Sequence, residues 1–110
     1  MRDMEEEVRD LLQQTRRTCY QFLKAELQTC FTALDMAKYE LSVGNLPVAE
    51  REVLAIEKGI SVLRRFLAEI LETADKQAVE GRLAQLLEAF EPFRNEVQSR
   101  RADGATLSQP

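Results

Sequence analysis

Hydrophobic residues recur along the chain at alternating steps of four and three. The cleanest series is Ala49, Val53, Ile56, Ile60, Leu63, Leu67, Ile70 and Ala74, and no charged residue interrupts it. Such steps keep side chains on one face of an α-helix, so the spacing predicts a helix over about 47–72 with a continuous apolar seam. Leu54, Val62, Phe66 and Leu71 widen the apolar arc, which suits a central helix touched by two others. Gly59 lies beside the seam. It reads either as a tolerated helix glycine, costing up to about 1 kcal/mol against alanine, or as a point where two helices approach closely.

Upstream, the stretch from about Asp3 to Val43 contains neither Gly nor Pro and predicts one long helix. Asp3 can cap it, and Glu5, Glu6 and Glu7 suit the positive end of the helix dipole. Its apolar stripe comes in two parts. Val8, Leu12, Thr15, Cys19 and Phe22 form the first, and Leu23, Leu27, Cys30, Leu34, Ala37 and Leu41 the second. The two are out of phase by one residue at Phe22-Leu23, a stutter that rotates the face and lets the helix continue. The alternative is a break near Thr15-Arg16-Arg17-Thr18, where threonine favours helix weakly but nothing forces a stop. Gly44-Asn45-Leu46-Pro47 then gives a turn: Gly44 suits a left-handed cap, and Pro47 suits the first turn of the next helix.

The heptad phase fails after Ala74, and a new seam begins: Val79, Leu83, Leu86, Phe90, Phe93 and Val97. Residues 72–76 therefore predict a corner, with Thr73 or Asp75 as the N-cap of a third helix over about 75–91. Pro92 predicts a kink or an end there. The seam keeps its phase through Phe93 and Val97, which favours a kink or a restart reaching about residue 100. From Ala102 onward, turn formers and one isolated leucine predict a flexible tail over 102–110.

These elements predict an all-α fold: an antiparallel three-helix bundle, a single domain over 1–101, with an overlong first helix. Its lengths are informative. At 1.5 Å per residue, helix two reaches about 39 Å and helix one about 61 Å. Packed antiparallel from the Gly44 turn, helix two covers helix one back to about Thr18. The part before it overhangs by about 22 Å and still carries Val8, Leu11 and Leu12. Soluble monomers rarely leave such a stripe wet. Three outcomes stay open: pairing of overhangs between two chains, residues 3–15 folding back as a fourth helix, or a frayed acidic first turn.

Composition narrows the chemistry. Only four Gly and three Pro occur in 110 residues, too few for the turns of a sheet protein. The net charge is −4, and both signs are interspersed, so the basic footprint of a nucleic-acid binder is absent. There is no histidine, which excludes histidine acid–base work and the usual partner of a nucleophilic Ser or Cys. Cys19 and Cys30 lie eleven residues apart on one helix. That is roughly 16 Å, beyond disulfide reach and without metal-ligand spacing. Four scattered glycines build no phosphate loop. No apolar run is long enough to span a bilayer, and the acidic N-terminus lacks the apolar core of a leader. The expectations are a cytoplasmic protein with reduced thiols, no enzyme activity, no cofactor, no metal, no small-molecule substrate and no membrane partner.

The hairpin from Ala33 to Ser61 resembles a single tetratricopeptide-type repeat. Met36-Ala37 stands where that motif has Leu-Gly, Ala49 and Val53 stand at its A-x3-F, and Gly44 sits in the turn. Ala33, Glu40 and Ser61 depart from its large residue, Tyr and Pro, and no second copy follows. The stretch is also similar to small bacterial helical proteins of unassigned role. What remains for function is binding. The length mismatch predicts a non-catalytic protein-interaction module that pairs with itself as a homodimer through Val8, Leu11 and Leu12. The alternatives are a helical adaptor that holds a partner helix in a groove, and nucleic-acid binding through Arg16, Arg17 and Lys24.

Overall fold

The computed structural model describes residues 4–69 and 73–107, and for Leu12 and 105–107 it describes the backbone alone. Among these residues there are three helices and no strand: α1 (Met4–Ser42), α2 (Leu46–Leu67) and α3 (Thr73–Leu107). They form an all-α three-helix bundle, up-down-up, drawn out into a rod of 78 × 20 × 20 Å. The α1 helix is continuous through the phase slip and through Thr15–Thr18, so residues 4–15 do not fold back as a fourth helix.

The α1–α2 turn follows from its sequence. Gly44 sits at φ +83, where a side chain would be strained. Its amide donates to the Leu41 carbonyl at 3.1 Å, and the Asn45 amide to the Glu40 carbonyl at 2.8 Å. This crossed pair closes the end of α1 in a Schellman motif. Asn45 Nδ2 also donates to Glu40 Oε2 at 2.9 Å. Pro47 enters the first turn of α2, where no backbone donor is needed.

The core consists of the predicted seams. Leu23, Leu27, Cys30, Leu34, Ala37 and Leu41 of α1 are buried against Ala49, Val53, Ile56, Ile60 and Leu63 of α2. Val79, Leu83, Leu86, Phe90, Phe93 and Val97 of α3 close the third side. No buried side-chain polar atom among the described residues lacks a partner. Gly59 is a point of close approach rather than a tolerated glycine. A Cβ built on it would lie 2.5 Å from Cys30 Sγ and 2.9 Å from Glu26 Oε1.

Two boundaries differ from the sequence expectation. The α2 helix ends at Leu67 rather than near 72, so six of the eight seam positions lie on it. Ala74 is exposed on α3, and Ile70, Leu71 and Glu72 lie outside the described residues. The reason is topological. A third helix returning along α1 must begin level with the end of α2, so the corner falls inside the hydrophobic run. Asp3, the proposed cap of α1, also lies outside the described residues. The α3 helix starts at Thr73, so Thr73 and Asp75 lie inside it, and Asp75 is an acidic residue of its first turn.

The second difference concerns the end of α3. It runs unbroken through Pro92 to Leu107, beyond Ala102 where a tail is expected, while 108–110 lie outside the described residues. Pro92 is exposed, so water can reach the Glu88 carbonyl that it leaves without a donor. Gly104 takes no positive φ, so nothing turns the chain there, and helix propagation gains a hydrogen bond per residue. Arg100 Nη1 donates to the Leu41 carbonyl at 3.3 Å, level with the end of α1. The α3 residues beyond it therefore pass the Gly44 turn, and among the described residues each extremity of the rod is a lone helix.

Candidate interaction surface

The overhang of α1 is present and lacks cover. Helix α2 ends level with the middle of α1: Phe22 meets Phe66 edge-on, ring centroids 6.2 Å apart. Before Thr18, every described side chain of α1 is exposed except Asp10, which is half-buried. Val8 is 50% and Leu11 63% exposed, and Met4, one turn earlier, 80%. The side chain of Leu12 lies outside the described residues. Two of the three predicted interface residues thus stand in the open on one helix, spaced to share a face.

The exposed apolar surface does not end with the overhang. Among the described residues, Phe22, Met36 and Tyr39 of α1 and Val43 just past its end are also large, apolar and exposed, and Leu54 of α2 is the remaining one. Sequence reasoning placed Phe22 on an apolar stripe but missed Met36, Tyr39 and Val43 as exposed members of it. They lie about 100° or more around α1 from the buried seam, and the stronger Leu-rich seam next to them masks their spacing.

The basic side chains form no single patch. Arg16 and Arg17 are exposed on the overhang, about 100° apart around the helix. Lys24 sits a heptad beyond Arg17 and lies over the Tyr20 ring, 5.4 Å from its centroid. Beside it, Tyr20, Leu27, Gln28, Val79 and Arg82 line a cleft of about 250 Å³ between α1 and α3. It is smaller than the usual small-molecule site, about 300–1,000 Å³. Its Arg82 is engaged already, stacked 4.1 Å from the Phe31 ring centroid and donating to Gln85 Oε1 at 2.8 Å.

The two cysteines are free thiols. Burial, seconded by Glu26, raises the Cys30 pKa from the ordinary 9.0 to about 11. Burial, with Glu69, also raises that of Cys19. Both stay protonated near neutrality and so are weak nucleophiles and weak metal ligands. Among the described residues no three of Cys, Asp or Glu converge as a metal site, and no helix is long and apolar enough to cross a membrane. No protein-family model matches the chain, and neither a characterised protein nor a solved structure is significantly similar to it.

Proposed function

We propose that this protein is a non-catalytic protein-interaction module that associates with itself through the N-terminal part of α1. One observation carries the reading. A helical stretch on which no other helix packs among the described residues presents Met4, Val8 and Leu11 to water, although the chain buries its other long apolar seams. Leu12 belongs to the same stretch by position. Protonated thiols without a disulfide fit a reducing, cytoplasmic setting.

The test is the mass of the intact protein by light scattering at tens of micromolar. The reading expects a dimer for the wild type and single-chain mass for Leu11→Asp, with helicity retained because Leu11 is 63% exposed and outside the core. A wild-type mass of one chain would overturn it. An adaptor with a groove elsewhere would keep its partner in the Leu11→Asp variant. Binding through Arg16, Arg17 and Lys24 would instead show as nucleic-acid affinity that falls steeply with salt.

A further inference from the structure

We propose that the partner surface for each overhang is the outer face of α1 over the bundle in a second copy of this chain. The two copies then form an antiparallel α1–α1 coiled coil. The inference rests on the self-association reading and says where the second copy sits.

A second heptad seam carries it. Starting at Met4 and stepping alternately by four and three, the line runs through twelve positions, eleven on α1 and the last, Val43, just past its end. None is charged, and every one is exposed. Seven of the eight large exposed apolar residues among the described residues fall on this line. A face that serves only solvent has no reason to exclude charge over eleven consecutive steps.

The order of residues along the seam selects the occupant. Met4, Val8 and Leu11 stand at one end, and Met36, Tyr39 and Val43 at the other. Inside them lie Thr15 and Thr18 on one side and Thr29 and Thr32 on the other, with Phe22 and Ala25 at the centre. The series is a palindrome by class. An isologous two-fold interface requires a surface that matches itself when reversed. Reversal sets Met4 opposite Val43, Val8 opposite Tyr39 and Leu11 opposite Met36. It also sets threonine opposite threonine, and the one large ring, Phe22, opposite the one small side chain, Ala25.

Two details agree, and one charge pair opposes them. Thr15 Oγ1 donates to the Leu11 carbonyl at 2.9 Å and Thr29 Oγ1 to the Ala25 carbonyl at 3.0 Å. Those hydroxyls are satisfied within their own helix, so covering them strands no donor. Among the flanking positions Gln14, Gln21 and Gln28 are neutral, Glu7, Glu26 and Asp35 meet no like charge on reversal, and Glu5 opposite Glu40 is the one like-charged pair and works against the arrangement. Helix α2 stops level with Phe22, where the two-fold axis falls, so the two copies of α2 meet end to end without competing for space.

Area separates this arrangement from a dimer of overhangs alone. A seam about 58 Å long and about 10 Å wide gives about 1,200 Å² over two copies, within the range of stable specific interfaces. Residues 4–18 alone give about 400 Å², the size of an incidental crystal contact.

The test places nitroxide labels on the intact chain at Gln13→Cys or Lys38→Cys, both exposed and off the seam, in a Cys19→Ala background that leaves Cys30 buried. Dipolar distances between copies are expected at about 35 Å for position 13 and about 45–50 Å for position 38. A dimer of overhangs alone gives about 20 Å at 13 and about 80 Å or more at 38. That result overturns this inference and leaves self-association standing. A parallel pair, with about 20 Å at both positions, also overturns it. Labelled chains without any dipolar coupling, together with single-chain mass, overturn both readings. As a second arm, Met36→Asp is expected to weaken dimerisation about tenfold or more, since the dimer would bury its charge unpaired. Its monomer should keep wild-type helicity, and a mass unchanged from wild type would count against the seam.

Discussion

The contact between Gly59 and Cys30 can be tested as a pair. In Gly59→Ala the new methyl falls 2.5 Å from Cys30 Sγ, well inside van der Waals contact, and 2.9 Å from Glu26 Oε1. The Glu26 carboxylate sits on a flexible stem and can move. Cys30 is only 2% exposed, so its sulfur has nowhere to go. Overpacking of this kind costs about 1–3 kcal/mol. Alanine recovers up to about 1 kcal/mol of helix propensity, so the net expectation is a loss of about 1 kcal/mol. Cys30→Ala alone empties the sulfur site and is expected to cost about 1 kcal/mol. In the double variant the methyl introduced at position 59 enters the space that the sulfur left, and the propensity gain remains. Its stability is therefore expected within about 0.5 kcal/mol of wild type, a coupling of about 1.5–2.5 kcal/mol. Urea midpoints at one fixed protein concentration read all four corners of the cycle, which keeps any association constant across them. Additive losses in the double variant, or a Gly59→Ala protein more stable than wild type, would refute the close approach.

Other perturbations follow from the same structure. Because the folded Cys30 pKa of about 11 lies above the ordinary 9.0, its contribution to stability is complete below pH 9 and is lost as pH rises towards 11. The loss is on the order of 2 kcal/mol relative to Cys30→Ala, read as the difference between their urea midpoints at successive pH values, and parallel profiles would contradict it. Phe90→Ala removes one of the largest fully buried side chains and should cost about 3–5 kcal/mol in chemical denaturation, with less than about 2 kcal/mol pointing to a core that collapses easily. Pro92→Ala restores the donor for the Glu88 carbonyl at an exposed site of α3 and is expected to stabilise by about 1–3 kcal/mol, visible as a higher melting temperature.

The core was readable because burial in a bundle imposes the helical period on every element at once. Leu23 to Leu41, Ala49 to Leu63 and Val79 to Val97 each show the four-three spacing, and each is buried. The Gly44 turn was readable because a left-handed residue followed by Pro47 admits few conformations. The end of α2 was not. No Gly or Pro stands between Leu67 and Thr73, and Ile70 and Ala74 keep the seam's phase into the corner. Residues 102–107 misled in the opposite way, since Asp103 and Gly104 favour turns yet Gly104 takes no positive φ and the helix runs on through them. In the overhang, Leu11 and Leu12 sit side by side. The sequence pattern admits two lines there, Val8-Leu12-Thr15-Cys19 and Val8-Leu11-Thr15-Thr18. The exposed residues farther along α1 select the second as the outward face, because only that line continues through Met36 and Tyr39.

The two seams of α1 differ in strength, and that difference separates folding from association. The inner seam is Leu-rich, is 5% exposed at most, and faces two helices of its own chain, so it forms at any protein concentration. The outer seam carries threonine at four of its twelve positions and, apart from Phe22 against Phe66, faces no helix among the described residues. Thr15 and Thr29 bond within α1, so an isolated chain leaves no buried polar group unmet when the outer face is wet. On the proposed interface, such a chain is expected to fold as a monomer and to dimerise reversibly, because separating two copies would cost contact area but break no core packing. Substitutions at Leu11 or Met36 therefore act on mass and leave helicity alone, whereas substitutions at Phe90 act on both. Loss of helicity in Met36→Asp would mean that the outer seam is part of the fold itself.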